Sequence, residues 1–341
     1  MAKRKKEGLC PCGSGKKYED CCLEKHYFTD RRQELRAAHE ELKKEINKRS
    51  FHSKEALQAF TDDFMQRKNR EPNPDFLGLS ADQVHRMLYF PLALTSDIVQ
   101  INEDLPLETF QSIPVVRKSV RFLKAFSQEE PLRMTAKGNL PREFARKLFE
   151  ELDDSEWKKF IRFRSEEDSL QVHSLRHLLK MGGWIKKEKR YFKLTARGKK
   201  AVKNGLSSEH YIRLLRTFAL KFNWAFQDGY LYFWIIQQGF LFSLFLLHKK
   251  ARNFIEDISL SPYFVRAFPG IFKEFGPKKS EVEAIKEYYR QVSRCFSVRF
   301  LERFCAYFGL IDARKKEIGP LPSNLIVKTS DFFDNFFLWK V

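Results

Sequence analysis

The order of secondary structure is clearest in residues 169–203, which read SLQVHSLRHLLKMGGWIKKEKRYFKLTARGKKAVK. Ser169–Met181 has the apolar spacing of a helix, and the glycine pair at 182–183 is typical of a helix end. Two short strands, at 184–186 and 191–194, then flank the polar turn at 187–190. Since Thr195 can cap a following helix, the stretch predicts a helix, a hairpin and a second helix.

This order is typical of a winged helix, and short motifs indicate that it recurs. The sequence RMTAKG at 133–138 is similar to KLTARG at 193–198, and helical spacing follows it over 139–152. Near the end of the chain, GLI at 309–311 and LIVKT at 325–329 resemble the glycine stop and the second strand, around a longer hairpin. We therefore predict a mainly α protein with small β wings (α+β), built from three winged-helix-like units.

Four cysteines lie close together near the N-terminus: Cys10, Cys12, Cys21 and Cys22. Zinc binds four thiolates in a tetrahedron, and a closed shell of this kind is a structural site. Nothing in residues 1–9 resembles an apolar secretory segment, so we expect a reducing cytoplasm, where disulfides are uncommon. We predict Zn2+ bound by the four cysteines, with His26 as the alternative to Cys22 for the fourth ligand.

The cysteine spacing, with glycines at 13 and 15, resembles the SEC-C motif. This is the small zinc-binding module at the C-terminus of the SecA translocase and in many otherwise unrelated bacterial proteins. The resemblance covers residues 8–27 and implies a zinc site. Because the SecA module is implicated in contacts with the chaperone SecB and with ribosomes, it also implies a protein or ribosomal partner. Much of the remainder resembles uncharacterised bacterial proteins that carry the same motif.

Breaks in the hydrophobic pattern divide the rest of the chain. Residues 29–49 and 53–66 have helical spacing, 68–77 predicts a linker, and Ser80 with Gln83 forms a capping box. We predict four domains. Residues 1–28 form a SEC-C-type zinc-binding module, and residues 29–77 form a helical connector with its linker. Residues 78–208 form a tandem winged-helix-like domain, and residues 209–341 form an aromatic-rich helical domain that ends in a winged-helix-like unit.

The chain is strongly basic, with 63 Lys and Arg against 44 Asp and Glu and a formal net charge of +19. Such an excess favours anionic partners: DNA, RNA, a ribosome surface or acidic lipid. The apolar run at 230–247 approaches the length of a membrane span, but Gln237, Gln238 and Gly239 interrupt it. We therefore expect a buried helix there and no membrane span.

Familiar catalytic motifs are missing from the sequence. It has no Gly-rich phosphate loop, nucleophile elbow or H-E-x-x-H zinc motif. His173 and His177 are four residues apart, but no nearby carboxylate or cysteine completes a metal site, so we interpret them as ordinary helix histidines. The acidic run at 166–168 is interpreted as a loop or helix start, and Cys295 and Cys305 as buried core thiols. We expect a non-enzymatic protein.

Polar and basic side chains are concentrated on the helix and hairpin of 169–203. A winged helix commonly places the helix before the hairpin in a groove and the wing on phosphates. The predicted nucleic-acid contacts are Gln171, Ser174, His177 and Lys180 on the helix, where Arg176 is a further polar position, and Lys186, Lys187, Lys189 and Arg190 on the wing. Lys199, Lys200 and Lys203 continue the basic strip. The ordinary alternative is a solvated basic face on a winged helix that serves only as a scaffold.

Together these patterns predict a zinc-binding protein that binds nucleic acid or a nucleoprotein, DNA or the ribosome, through winged-helix units. The competing hypothesis is a protein-interaction adaptor. Its SEC-C module would dock to a Sec-pathway, chaperone or ribosomal partner, with the helical body as scaffold.

Overall fold

The chain is mainly helical in a computed structural model, which describes residues 9–28, 32–155, 158–272, 276–277, 281–315 and 325–341. The α-helices of these residues are α1 (Leu23–Phe28), α2 (Arg32–Asn47), α3 (Lys54–Arg70), α4 (Ala81–Tyr89), α5 (Leu107–Gln111), α6 (Pro114–Glu129), α7 (Arg142–Leu152), α8 (Leu170–Met181), α9 (Ala196–Asn204), α10 (Ser208–Leu220), α11 (Trp234–Gln238), α12 (Phe240–Lys250), α13 (Ser261–Ala267), α14 (Val282–Phe296) and α15 (Asp331–Phe336). A π-helical segment, Ser297–Ala306, continues α14.

The strands of the described residues are short, and they are β1 (Val99–Ile101), β2 (Leu132–Arg133), β3 (Ile185–Glu188), β4 (Tyr191–Leu194), β5 (Ile255–Glu256), β6 (Ile311–Lys315), β7 (Leu325–Thr329) and β8 (Phe337–Trp339). β1 pairs antiparallel with β8, with Val99 opposite Trp339, so the last residues of the chain lie beside the start of the body. The other strands form two antiparallel sheets of three strands, in the orders β2-β4-β3 and β5-β7-β6.

Each three-stranded sheet belongs to a unit with the same succession of elements. Unit 1, residues 114–204, runs α6-β2-α7-α8-β3-β4-α9, and unit 2, residues 240–336, runs α12-β5-α13-α14-β6-β7-α15. In both units the strand that follows the first helix pairs with the return strand of the hairpin. The helix, glycine stop, hairpin and helix predicted for 169–203 are all observed in unit 1.

The junction between hairpin and last helix has the same hydrogen bonds in both units. In unit 1 the Thr195 hydroxyl donates to the Gly183 carbonyl (2.7 Å) and accepts from the Gly198 amide (3.1 Å). In unit 2 the Ser330 hydroxyl donates to the Gly309 carbonyl (2.6 Å) and accepts from the Phe333 amide (3.1 Å). Both glycines have positive φ, 83° and 70°, as expected after a helix end. Ser330 is therefore the counterpart of Thr195, one residue later than the predicted Thr329.

The first of the three expected units is not a separate unit. Its strand, β2, is an edge of the sheet that β3 and β4 form. Thr135 does not cap a helix, because its hydroxyl accepts from the Asn139 amide (3.0 Å) within a turn and α7 begins only at Arg142. A strand of two residues has no periodicity of its own, so the sequence could not show that it belongs to a later hairpin.

The connector differs in part from its prediction. α2 and α3 are the two expected helices, but α3 extends to Arg70, into the expected linker. The rest of the linker contains a 3-10 turn, Pro74–Phe76, whose Asp75 carboxylate pairs with Arg266 (2.5 Å). The capping box of Ser80 and Gln83 is confirmed, with both of its hydrogen bonds present.

Most of the long apolar run at 230–247 is buried, as predicted, but Leu231, Tyr232 and Trp234 near its start are exposed. It is divided between α11 and α12 by Gly239, and every residue of Phe240–Leu247 is buried. Across the described residues, no helix combines the length and the apolar character that a membrane crossing requires. Cys295 and Cys305, predicted as core thiols, are both fully buried.

Candidate metal centre and basic hairpin

The four N-terminal cysteines converge on one point. One sulfur from each of Cys10, Cys12, Cys21 and Cys22 lies within 4.8 Å of the others, so the group can hold a metal ion. The Sγ atoms of Cys12 and Cys21 are 3.6 Å apart, and those of Cys21 and Cys22 are 3.8 Å apart. Four sulfurs bound to zinc at about 2.3 Å lie about 3.8 Å from one another, so the cluster fits a tetrahedral zinc ion.

The loop between the cysteine pairs folds back as its glycines predict. Gly13 and Gly15 have positive φ, 82° and 73°. The Cys10 amide donates to the Lys16 carbonyl (2.8 Å), and the Gly13 amide donates to the Cys10 carbonyl (3.1 Å). These bonds bring Cys12 toward the pair at 21–22, whose amides both donate to the Tyr18 carbonyl.

The thiols need a cation to ionise together. Burial raises the pKa of Cys10 and of Cys22, whereas hydrogen bonding by Ser14 lowers the pKa of Cys12 to about 6. Four adjacent thiolates would repel one another, and a bound metal offsets that charge. The donor set of four sulfurs is the one that structural zinc sites use.

Cys22, rather than His26, completes the group. Its sulfur is one of the four clustered atoms, whereas His26 lies outside the cluster. The His26 Nδ1 is hydrogen-bonded to the Tyr18 hydroxyl (2.9 Å). His26 therefore orients a buried tyrosine that supports the cysteine loop.

The cysteine module lies against the body of the protein. The Tyr18 side chain is 1% exposed, and its ring packs on Tyr289 of α14 at 5.2 Å between centroids. Two ion pairs flank this contact: Asp20 with Lys286 (2.7 Å) and Glu19 with Arg290 (3.3 Å). Cys10, Tyr18 and Leu23 belong to the main hydrophobic core. The module and the body therefore share one hydrophobic core.

Comparison with known proteins agrees with the cysteine geometry. Residues 9–24 match the SEC-C motif, a known zinc-binding motif. Residues 111–206, which include all of unit 1, match the model of the Y4jL N-terminal domain. No curated protein and no solved structure matches the chain.

The basic hairpin of unit 1 is exposed, as a phosphate-binding wing would have to be. Lys186, Lys187, Lys189 and Arg190 all have exposed side chains, and β3 and β4 meet in a two-residue loop, 189–190. Lys186 and Lys193 both bind the Glu188 carboxylate, at 2.6 and 2.5 Å. Within the described part of the chain, the other three cations of the hairpin make no ion pair. Lys199, Lys200 and Lys203 on α9 are exposed as well.

The helix before the hairpin is largely covered. Of the residues expected to face a groove, only Lys180 is exposed. Gln171 accepts a hydrogen bond from Lys118 and donates one to Asp154 (2.9 Å), and Ser174 is half-buried. His177 packs against Phe226 from the loop after α10. Base reading by α8 would require these contacts to open.

A buried ionic cluster occupies the inner side of α8. Arg176, expected to be exposed, donates from Nε to the fully buried Glu166 carboxylate (2.5 Å), which also accepts from the Leu140 amide (2.6 Å). His173 and His177 face each other with their Nε2 atoms 3.1 Å apart. Burial, and then the Arg176 charge, lower the pKa of His177 to about 4. The pair is therefore neutral at pH 7, and an adjacent arginine disfavours a bound metal cation.

Sequence reasoning missed two sets of residues. The first is the docking set, Glu19, Asp20, Lys286 and Arg290, whose partners are too distant in sequence to show any pattern. The second is a basic recess between α7 and the segment after it. The cations at 158, 159, 162 and 164 were a signal for it, since four fall within seven residues.

Proposed function

We propose that this chain is a zinc-binding protein whose two repeated units are winged helices, and that unit 1 binds nucleic acid or a nucleoprotein such as the ribosome through its hairpin. The four clustered cysteines and the SEC-C match support zinc as the metal. In this proposal the metal has a structural role, because four cysteine ligands leave no open position for a substrate. The reducing cytoplasm of a bacterial cell is where such a thiolate site persists.

The order of elements supports the winged-helix assignment. Both units follow helix, strand, two helices and a hairpin, with the first strand at the edge beside the return strand. A hairpin held this way projects from a rigid base, and its loop is positioned to meet a phosphate backbone.

The observation that carries the nucleic-acid proposal is the unpaired charge on the hairpin. Lys187, Lys189 and Arg190 are exposed, and no described acidic side chain neutralises them. Three such cations on one hairpin give a favourable, sequence-independent interaction with phosphates. The covered state of α8 favours contacts to the backbone over reading of bases.

The test is a salt titration of DNA and RNA binding by the wild type and a Lys186→Gln/Lys187→Gln/Lys189→Gln/Arg190→Gln variant. We expect the variant to bind all sequences more weakly, because phosphate contacts are lost. The salt dependence of its binding should also be flatter, since each lost phosphate contact removes about 0.7–0.9 from the log–log salt slope. The matched control replaces four exposed lysines of α2, α3 and the turn between them with glutamine: Lys43, Lys44, Lys48 and Lys54. It loses the same charge and should keep the wild-type slope. Identical slopes for wild type and hairpin variant would refute the proposal.

The adaptor hypothesis remains the second candidate, and the exposure of the cysteine loop favours it. Residues 12–17 are exposed, although the opposite side of the module packs on α14. An adaptor that docks on ribosomes or on a Sec-pathway chaperone through this loop should depend on Lys16 and Lys17. Co-sedimentation with purified ribosomes separates the two proposals: Lys16→Gln/Lys17→Gln should abolish it for the adaptor, and the hairpin variant should abolish it for the winged helix.

A further inference from the structure

A basic recess lies on the outer side of unit 1, away from the residues of the hairpin. Its volume is about 710 Å³, and it is lined by one side of α7 and, after that helix, by Ser155, Lys158, Lys159 and Ile161–Phe163. Five of its ten lining residues are cations, Arg142, Arg146, Lys158, Lys159 and Arg162, and one is an acid, Glu150. None of these residues belongs to the cysteine cluster or to the basic hairpin.

The positive charge of the recess is mostly uncompensated. Glu150 is engaged by Lys158, which binds its carboxylate (3.2 Å) and its backbone carbonyl (2.6 Å). Arg142, Lys159 and Arg162 make no ion pair with any residue that the structure describes. Cations concentrated in a concave site attract an anion more strongly than the same charges spread over a convex surface.

Arg146 lines the recess and contacts an aromatic ring, with no acidic partner among the described residues. Its guanidinium lies 6.0 Å from the centroid of the Phe163 ring, and Phe163 stacks on Phe149 at 4.9 Å. The buried Nε of Arg146 has no hydrogen-bond partner among the described residues. Since arginine at such a position normally pairs with a carboxylate, its charge is left for a ligand.

An exposed aromatic residue lies between two lining residues in the sequence. Phe160 is 71% exposed and lies between Lys159 and Ile161, which both line the recess. The Lys159 ammonium lies 5.1 Å from the centroid of this ring. Cations beside an exposed aromatic ring are the combination that holds a phosphate and stacks its base, as in proteins that bind single strands.

We propose that this recess is a second binding site, for the phosphates of a nucleotide whose base stacks on Phe160. The nucleotide is either free or part of a single strand, since both present phosphoryl oxygens next to a base. The arginines supply paired donors to those oxygens, the geometry in which guanidinium binds phosphate best. This site does not depend on the hairpin, so it stands or falls separately from the proposed function.

The test measures two probes with the full-length, metal-loaded protein: ATP without magnesium by calorimetry, and a labelled 12-nucleotide single-stranded RNA by anisotropy. The recess variant is Arg142→Gln/Arg162→Gln, at two exposed positions. The matched control, Arg121→Gln/Lys124→Gln, removes two exposed charges from α6 of the same unit. We expect the recess variant to lose about tenfold or more in affinity, since charge-assisted hydrogen bonds are lost, and the control to stay within about twofold.

Phe160→Ala tests the stacked base. It should weaken binding about fivefold or more to the probe that the recess holds, while leaving binding of inorganic pyrophosphate unchanged. Loss of ATP binding in the recess variant identifies a free nucleotide, and loss of RNA binding alone identifies a strand. The hairpin variant should retain the recess-dependent binding. The proposal is overturned if the wild type binds neither probe, or if recess and control variants lose equal affinity.

Discussion

At the scale of single residues, buried charges hold the third helix of each unit to its surroundings. Arg299, on the π-helical segment, is 2% exposed in its side chain and pairs with Asp228, which is 1% exposed. The same guanidinium donates to the Leu231 carbonyl (3.0 Å), and Arg303 donates to the Phe226 carbonyl (2.8 Å). These two arginines therefore fix the loop 226–231, whose Phe226 also packs on the histidines of α8.

Replacing Arg299 with Met should destabilise the protein by about 3–5 kcal/mol, because Asp228 is then buried without a countercharge. The double variant Arg299→Met/Asp228→Asn should recover part of that loss, since no charge remains. Chemical denaturation followed by circular dichroism measures both. The control is Lys43→Met, which breaks an exposed ion pair with Glu40 and should cost less than about 1 kcal/mol. Equal effects of Arg299→Met and Lys43→Met would contradict the buried-pair argument.

Predictions of exposure made from residue type alone were wrong for some polar side chains. Arg176 was expected to face a groove because arginine is usually exposed, yet it is buried against Glu166, ten residues earlier. A buried ion pair depends on a tertiary partner that local periodicity does not show. The cysteines were placed correctly because their spacing is itself the requirement of the metal site: four sulfurs must reach one ion.

At the scale of elements, signals that act within a few residues predicted the hairpin of unit 1 correctly, whereas the pairing of β2 with a distant strand was not predicted. The glycine stop, the alternating strands and the capping threonine of 182–195 each act within a few residues, and the structure has all three. β2, by contrast, pairs with a strand about 60 residues later. The match of LIVKT to the second strand placed Thr329 opposite Thr195, whereas the hydrogen bonds show that Ser330, one residue later, is the counterpart of Thr195.

The equivalence of the two junctions has a measurable consequence. Thr195→Ala and Ser330→Ala each remove a hydroxyl that caps a helix and donates to a glycine carbonyl, so each should cost about 1–2 kcal/mol. Thr61→Ala is the control, since that hydroxyl bonds only its own helix, at the Leu57 carbonyl, and should cost less than about 0.5 kcal/mol. Thermal unfolding of the three variants checks this. A loss confined to one unit would show that the junctions are not equivalent.

At the scale of the whole molecule, the cysteine module and the end of the chain are both tied into the body. Tyr27 donates to the Pro277 carbonyl (2.5 Å) and packs on Phe272, while β8 closes on β1. Contacts between residues about 250 positions apart leave no mark on local sequence, so the sequence did not show that the module packs on the body. In the structure the cysteine module packs against the helix α14, which leads into the buried π-helical segment.

Metal loss should therefore propagate into the body. Cys12→Ser removes one sulfur of the cluster, and we expect the zinc content to fall from about one per chain to near zero, measured by mass spectrometry of the metal. Without the metal the loop no longer holds Tyr18 on Tyr289, so amide exchange should quicken both at 9–28 and along α14. The β1–β8 sheet should exchange as in the wild type. Lys17→Gln, exposed in the same loop and not a ligand, should change neither measurement. Retention of zinc by Cys12→Ser would refute the ligand set, and zinc loss without faster exchange in α14 would show that the module is only a tag.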